Sequence, residues 1–304
     1  MSVNLLEQKP LIERYLKENR QPLSAFSFVN IFAWKDFFDF EIKTINGQLC
    51  IFARDPAGTF LYLPPLGKSP TSETVEACFA YMQEQNGKAH GLANGVARVE
   101  NVVPDYFHLF PEKQFKRTPK AEEYCYYRKD LVELKGNDYK SKRNDYNYFI
   151  KNYKVDYRPF GPQDIEECLA LYDRWAQERR KAERGEAYLY MLEDNRRVHQ
   201  TVLENHELLD LIGRVVRVDG HIVGYSFGYA LKADIFCVFF EIANLDLKGL
   251  PVYLFREFCN DPDVSRYAFI NAMDDFALEN IQKTKLSFRP RILISSYVVT
   301  AQPS

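Results

Sequence analysis

Glu241 stands in "CVFFEIAN", an otherwise apolar run, where a carboxyl group must be paired, exposed at a strand end, or held with a raised pKa. Held in the last way it could take a proton from an attacking amine or hydroxyl, which needs only a carboxylate within hydrogen-bond reach. A salt bridge to Arg143 is the structural alternative. A few residues on, "NLDLKGLPVY" leads a strand into a helix. The amides of Gly249 and Leu250 at that helix N-terminus, with the Lys248 cation beside them, suit a phosphate, and Gly249 lets a ligand approach the backbone closely. Pro251 fits the first helical turn. A plain strand-to-helix turn with a capping glycine explains the same residues.

Asn271 and Asp274 lie in "INAMDDFALEN", at a strand end of the sort that lines a crevice in open sheets; capping of the next helix by Asp274 or Asp275 is the competing reading. In "DYKSKRNDYNYFIKNY" a helical count puts Tyr139, Tyr146, Ile150 and Tyr153 on one apolar stripe, with Lys140, Asn144, Asn147 and Lys151 on a solvated face. Arg143 projects within about 40° of the stripe centre and Lys142 falls near its other margin. A cation there needs a carboxylate, carbonyls or a bound anion, and the expectation is that Lys142 and Arg143 line an anion pocket. The histidines have no metal spacing: His199 and His206 share a helical face without a third ligand, while His90, His108 and His221 sit in turns, so no metal is expected. No G-x-S-x-G elbow is present, and Ser226 lies within an ordinary strand, "VGYSFG".

The elements that must position these residues follow a definite order. The second half reads as a strand "VDYRPF", two helices, a hairpin about Asp219-Gly220, the strand "DIFCVFFEIANL", a helix, a strand "RYAFINAMDD", a helix "ALENIQKTKL" and a strand "RILISSYVVT". The first half reads as two helices, a hairpin about Asn46-Gly47, a third strand "TFLYLPPLG", a helix from Ser72, and strands "GVARVENV" and "YCYYRKDLVEL". The order in the second half matches that of the GNAT acyltransferase fold, and the first half repeats its middle part. The expected class is α+β: two tandem GNAT-like domains, residues 1–154 and 155–304, each a mixed, mostly antiparallel sheet flanked by helices. The usual GNAT glycine-rich loop is missing.

A chain of 304 residues with 46% hydrophobic content suits two ordinary domains. Its net charge of −2 argues against coating nucleic acid non-specifically, and no DNA partner is expected. Six cysteines without a close pair read as small buried hydrophobes. No signal peptide is evident and no apolar run reaches the roughly 20 residues that span a bilayer, so the expectation is a cytoplasmic chain with no integral membrane segment.

"YCYYRKDLVELKGNDYKSKRNDYNYF" and "INAMDDFALENIQKTKLSFRP" resemble the family named for the C-terminal domain of bacterial phosphatidylglycerol lysyltransferases. The former stretch is similar to its strand, Leu-rich turn, Gly and "K-K-R-N" helix, on Leu131, Leu134, Gly136, Lys140, Lys142, Arg143 and Asn144. The latter is similar to its Asn-x-x-Asp and Lys-x-Ser-x-x-Pro signature, on Asn271, Asp274, Lys285, Ser287 and Pro290. Glu241 and Gly249 also match, whereas Asp275 departs from the family's small residue.

The resemblance spans essentially the whole chain and implies tandem GNAT-like domains, as in the Fem aminoacyltransferases, and an acyl or aminoacyl transfer. Glu241, Asn271 and Asp274 would then be catalytic, with Lys248, Gly249, Leu250, Lys142, Arg143, Asn144 and Lys285 towards the donor. A CoA thioester, a co-substrate rather than a tightly bound cofactor, would set its pyrophosphate at Gly249. An aminoacyl-tRNA would need a wider cationic surface including Lys140, Lys142 and Arg143. The near-neutral charge favours CoA, and the acceptor would be an amine or hydroxyl of a small molecule or peptide. From another class, a non-catalytic protein that binds a ligand or partner in a degenerate acyltransferase fold fits the missing glycine loop.

Overall fold

The structure, a computed structural model, describes residues 4–88, 95–182 and 186–302. They divide into two compact units, Met1–Glu123 with Asp274–Leu278 and Leu293–Ser304, and Tyr124–Met273 with Glu279–Ile292.

In the first unit, α1 (Leu5–Glu18) and α2 (Phe28–Ala33) precede the strands β1 (Glu41–Ile45), β2 (Gln48–Asp55) and β3 (Gly58–Leu61). Asn4 and Ser27 begin the two helices by accepting hydrogen bonds from the Leu6 and Asn30 amides. β1 and β2 join through Asn46 and Gly47, both at positive φ, as a two-residue hairpin turn requires. α3 (Ser72–Lys88) then crosses to β4 (Arg98–Val102), which pairs with β3 in parallel through Leu61 and Val99. Val75, Cys78, Phe79 and Met82 seat the helix on Cys50, Phe52 and Leu61. β5 (Phe115–Tyr127) begins in this unit, and its last partner comes from the chain end: β11 (Ile292–Ala301) pairs with β4.

In the second unit the end of β5 leads through α4 (Arg128–Glu133) and α5 (Lys140–Asn152) to β6 (Val155–Pro159). There follow α6 (Ile165–Ala182), α7 (Glu186–Glu204), β7 (Ile212–Val218), β8 (His221–Ala230), β9 (Ile235–Ala243), α8 (Leu250–Asn260), β10 (Phe269–Asn271) and α9 (Glu279–Leu286). β6 to β9 form antiparallel neighbours in chain order, β10 pairs with β9 in parallel, and the end of β5 pairs with β10. Cys168, Leu171, Tyr172 and Leu203 of α6 and α7 pack on Val215, Tyr225 and Phe227; Phe149, Leu250 and Leu254 of α5 and α8 pack on Val216, Val223 and Ala243. Alternate strand residues thus serve opposite faces.

The units part the chain at Glu123, not at residue 154, and interleave its end. Stacking decides the membership of α5, because Tyr146 lies 5.7 Å and Phe149 4.9 Å from the Tyr253 ring of α8. Three local readings also shift. "YCYYRKDLVEL" is strand only to Tyr127, after which Arg128–Glu133 turns helical and ends on left-handed Leu134. About α5, Tyr139, Tyr146 and Tyr153 keep to the packed face, but Phe149 is fully buried in place of the expected Ile150, which is 47% exposed. β10 is only Phe269–Asn271. No helix among the described residues is long and apolar enough to cross a membrane.

Candidate functional site

The placement of Glu241 depends on one irregularity. β8 and β9 pair in step from Gly224↔Ala243 to Phe227↔Phe240, then shift so that Gly228 faces Val238, leaving Phe239 as the extra residue of a bulge. A slip of one residue turns side chains to the other face of a sheet. Val238 and Ala243 both face the α8 side, and regular alternation from Val238 would turn Glu241 towards α6. The bulge brings it to the α8 face, directly opposite Ser226.

There the fully buried Ser226 donates its hydroxyl proton to Glu241 Oε2 at 2.8 Å. Although Glu241 keeps some accessible surface, burial of its carboxyl pushes the pKa up to about 8, with the Ser226 hydrogen bond and the Lys285 charge pulling the other way. Arg143 does not pair with it. Its Nη1 donates to the carbonyl of Leu134 and, at 2.7 Å, to that of Gly136, fastening the turn after α4. Of the partners open to that cation, the fold supplies carbonyls.

Glu241 lies where two strands part. β10 meets β9 only from Ile235 to Cys237, and beyond Asn271 the chain turns away, the Ala272 amide donating to the Tyr124 carbonyl. Asn271 is buried at this split, and its Oδ1 accepts the Met273 amide at 2.7 Å, holding Met273 at φ 59°. Lys285 reaches in from α9: its Nζ donates to the Ala272 carbonyl, lies 3.4 Å from the Met273 carbonyl and sits over the Tyr124 ring. The Lys285 carbonyl in turn accepts from the Tyr126 hydroxyl at 2.9 Å. The fold therefore pairs Ser226 with Glu241 and brings Lys285 near enough for its charge to act on that carboxyl, while Asn271 ends β10 on the sheet face opposite Ile270.

The other expected residues have different settings. Asp274 belongs to the first unit, where it accepts the Phe276 amide at 3.0 Å; Asp275 accepts that of Ala277 at 3.0 Å. Neither caps α9, which starts at Glu279. Gly249, at φ 88°, has no room for a side chain, because a Cβ would fall 2.2 Å from the Asp145 carbonyl oxygen. The glycine is required for α5 to approach α8. The buried Leu250 gives its amide proton to the Leu247 carbonyl at 3.1 Å, and Pro251 has none to give. Lys248 lies over the exposed Tyr148 ring at 4.9 Å. Lys142 is half-buried, its ammonium 4.2 Å from the Phe288 ring centre, and burial lowers its pKa; Asn144 is exposed on the outer face of α5.

Sequence reading missed Ser226. A serine inside a β-run carries no signal until the bulge fixes which residue it faces. His199 is buried with Nδ1 2.9 Å from the Tyr225 hydroxyl, and burial lowers its pKa to about 3, leaving it neutral. His90 lies outside the described residues. Among the described residues no three His, Cys, Asp or Glu side chains converge as metal ligands.

A hairpin-fed sheet, a parallel fourth strand that diverges from the third, and a helix between them define a GNAT-like unit, and the chain contains this order twice. Residues 18–300 match the family described as phosphatidylglycerol lysyltransferase, C-terminal, and the chain belongs to that family, which places it with the GNAT-like acyltransferases. Among solved structures it is similar to a conserved protein of unknown function from Bacteroides thetaiotaomicron, with TM-score 0.85, 24% identity and 99% of each chain covered. It is also similar to the C-terminal domain of a putative lysylphosphatidylglycerol synthetase from Agrobacterium fabrum, with TM-score 0.68, 12% identity, and 100% of this chain and 93% of that one covered. A tandem GNAT protein from the clavulanic acid biosynthesis pathway follows at TM-score 0.53 and 11% identity, covering 98% of this chain and 97% of the other. At these identities the likeness establishes the fold. No curated protein matches the chain.

Proposed function

We propose that the protein transfers an acyl or aminoacyl group, with Glu241 as the general base. The acceptor's amine or hydroxyl attacks the activated carbonyl; as the new bond forms, Glu241 takes the acceptor proton and the donor's leaving group departs. The observation that carries this reading is the Glu241 carboxyl itself, partly accessible on β9 beyond its contact with β10 and held by the Ser226 hydroxyl at 2.8 Å, where burial pushes its pKa up to about 8. Only about a tenth of such a group is ionised at pH 7, but the ionised fraction is a stronger base than an ordinary carboxylate. Lys285, anchored on the carbonyls that follow β10, supplies positive charge for the oxyanion that develops on the donor. Asn271 shapes the turn that presents those carbonyls.

The start of α8 supports an aminoacyl-tRNA over a CoA thioester as donor, against what net charge alone suggests. The Asp145 carbonyl fills the open side of Gly249, the Leu250 amide is engaged and Pro251 carries none, so little of the turn remains to cradle a pyrophosphate. A solved relative named as a putative lysylphosphatidylglycerol synthetase fits the same direction. Lys140, Lys151 and Lys248 are exposed and offer phosphate contacts. The same closed turn is the observation that favours the second reading, a non-catalytic binding protein.

Single-turnover assays with labelled aminoacyl-tRNA and labelled acetyl-CoA, each with a panel of amine and alcohol acceptors, test the proposal. The expected result is transfer from aminoacyl-tRNA, lowered about 100-fold or more in Glu241→Gln with donor binding retained. Equal turnover in that variant removes Glu241 as the base, and no transfer from either donor moves the protein to the binding class.

A further inference from the structure

We propose that Ser226 is a positioning residue for Glu241, orienting its carboxyl and setting the pH at which it ionises; the inference rests on the assignment of Glu241 as the base. Among the described residues Ser226 is the sole hydrogen-bond partner of the Glu241 carboxyl, and no salt bridge joins Glu241 to a cation. One donor on Oε2 leaves Oε1 for an incoming acceptor. The two residues face each other directly across β8 and β9, so the contact is set by backbone register.

The surroundings leave this hydroxyl a large share of the control. On the same strand, Gly224 and Gly228 flank Ser226 and contribute no side chain, and the space beyond them is filled by Leu254 and Phe236. From α8, Cys259 is the titratable group that senses Glu241, and its thiol is pushed upward by burial, so it stays neutral. From α9, Lys285 acts on Glu241 through its charge at a distance while its ammonium donates to the Ala272 carbonyl. A hydroxyl that donates to a carboxylate stabilises the ionised form, and here it opposes the burial that favours the neutral form. Ser226 is itself buried and does not meet the acceptor.

The experiment is a pH titration of the full chain labelled with 13C at the glutamate carboxyl carbons, with the Glu241 resonance assigned by its absence in Glu241→Gln. The wild-type resonance is expected to titrate near pH 8. In Ser226→Ala the midpoint rises by about one unit, which lowers the ionised fraction at pH 7 about tenfold. In Ser226→Cys, a weaker donor of similar size, it falls between the two. An unchanged midpoint in a folded Ser226→Ala protein overturns the proposal, as does a wild-type Glu241 that titrates in the ordinary carboxylate range. Neither readout needs turnover, so a missing substrate does not decide it. Where transfer is measured, the acid limb of kcat/KM moves with the same midpoint while donor KM is unchanged, whereas a merely structural role would leave the limb in place.

Discussion

The two units build the same local topology and put different chemistry at the same place in it. In the first, β3 meets its parallel neighbour at Leu61, and the chain runs on to Leu66, which exchanges two 2.9 Å backbone hydrogen bonds with Leu49; both leucines are fully buried. In the second, β9 meets its parallel neighbour from Ile235 to Cys237 and runs on to Glu241, opposite Ser226. Past the parallel contact the first unit closes with an apolar bridge, and the second with a serine–carboxyl pair. In both units the chain runs on past a short parallel contact, as loop to an isolated bridge in the first and as strand in the second, so the topology by itself does not fix which residue that continuation carries.

Leu66→Ala is the substitution with the largest expected effect on stability: loss of a fully buried leucine costs about 2–5 kcal/mol, read as a lower urea midpoint, with no change in how stability varies with pH. A pH-dependent loss would mean that the apolar bridge is coupled to a titrating group, and the contrast would fail. Glu241 should behave in the opposite way. Its folded pKa, about 8, lies above the ordinary 4.5, so the associated stability is fully present below about pH 4.5 and is lost as pH rises through 8. Against Glu241→Gln, which does not titrate, the wild type should lose about 2–4 kcal/mol between pH 5 and 9, allowing for its partial exposure. A flat difference across that range would make Glu241 an ordinary surface carboxylate and erase the distinction between the units.

Gly249→Ala should cost about 1–3 kcal/mol, since it places a side chain at positive φ against the Asp145 carbonyl, with a lower melting temperature as the readout. Unaltered stability together with weaker anion binding would restore the helix start as a ligand cradle. Arg143→Ala, which removes two hydrogen bonds to carbonyls, should cost about 1–2 kcal/mol and leave donor affinity unchanged. A fall in affinity with full stability would return Arg143 to the binding surface.

Much of the second unit can be read from spacing. The Asp219-Gly220 hairpin, the apolar strand carrying Glu241 and the helix after Pro251 each carry a local signal, because turn chemistry and side-chain period act between near neighbours. The α5 stripe is read at Tyr139, Tyr146 and Tyr153 but takes Ile150 for Phe149, because two adjacent apolar residues flank the stripe and the approach of Tyr253 from α8 decides which is buried. Gly249 is recognised as a special position, but the reason differs: the body that approaches it is the α5 backbone.

Residue types and spacing by themselves determine most of the element order, the presence of two GNAT-like halves and a carboxyl group stranded among apolar neighbours at position 241, but not helix α4 or where the units divide. Only the tertiary structure decides what that group becomes. The bulge at Phe239 selects the face, Ser226 supplies the hydrogen bond, and β10 ends early enough to leave the strand beyond it open. The physical reason is range: turn and helix preferences are set within a few residues, whereas the pKa of Glu241 and the strand pairing that holds it depend on neighbours far away along the chain.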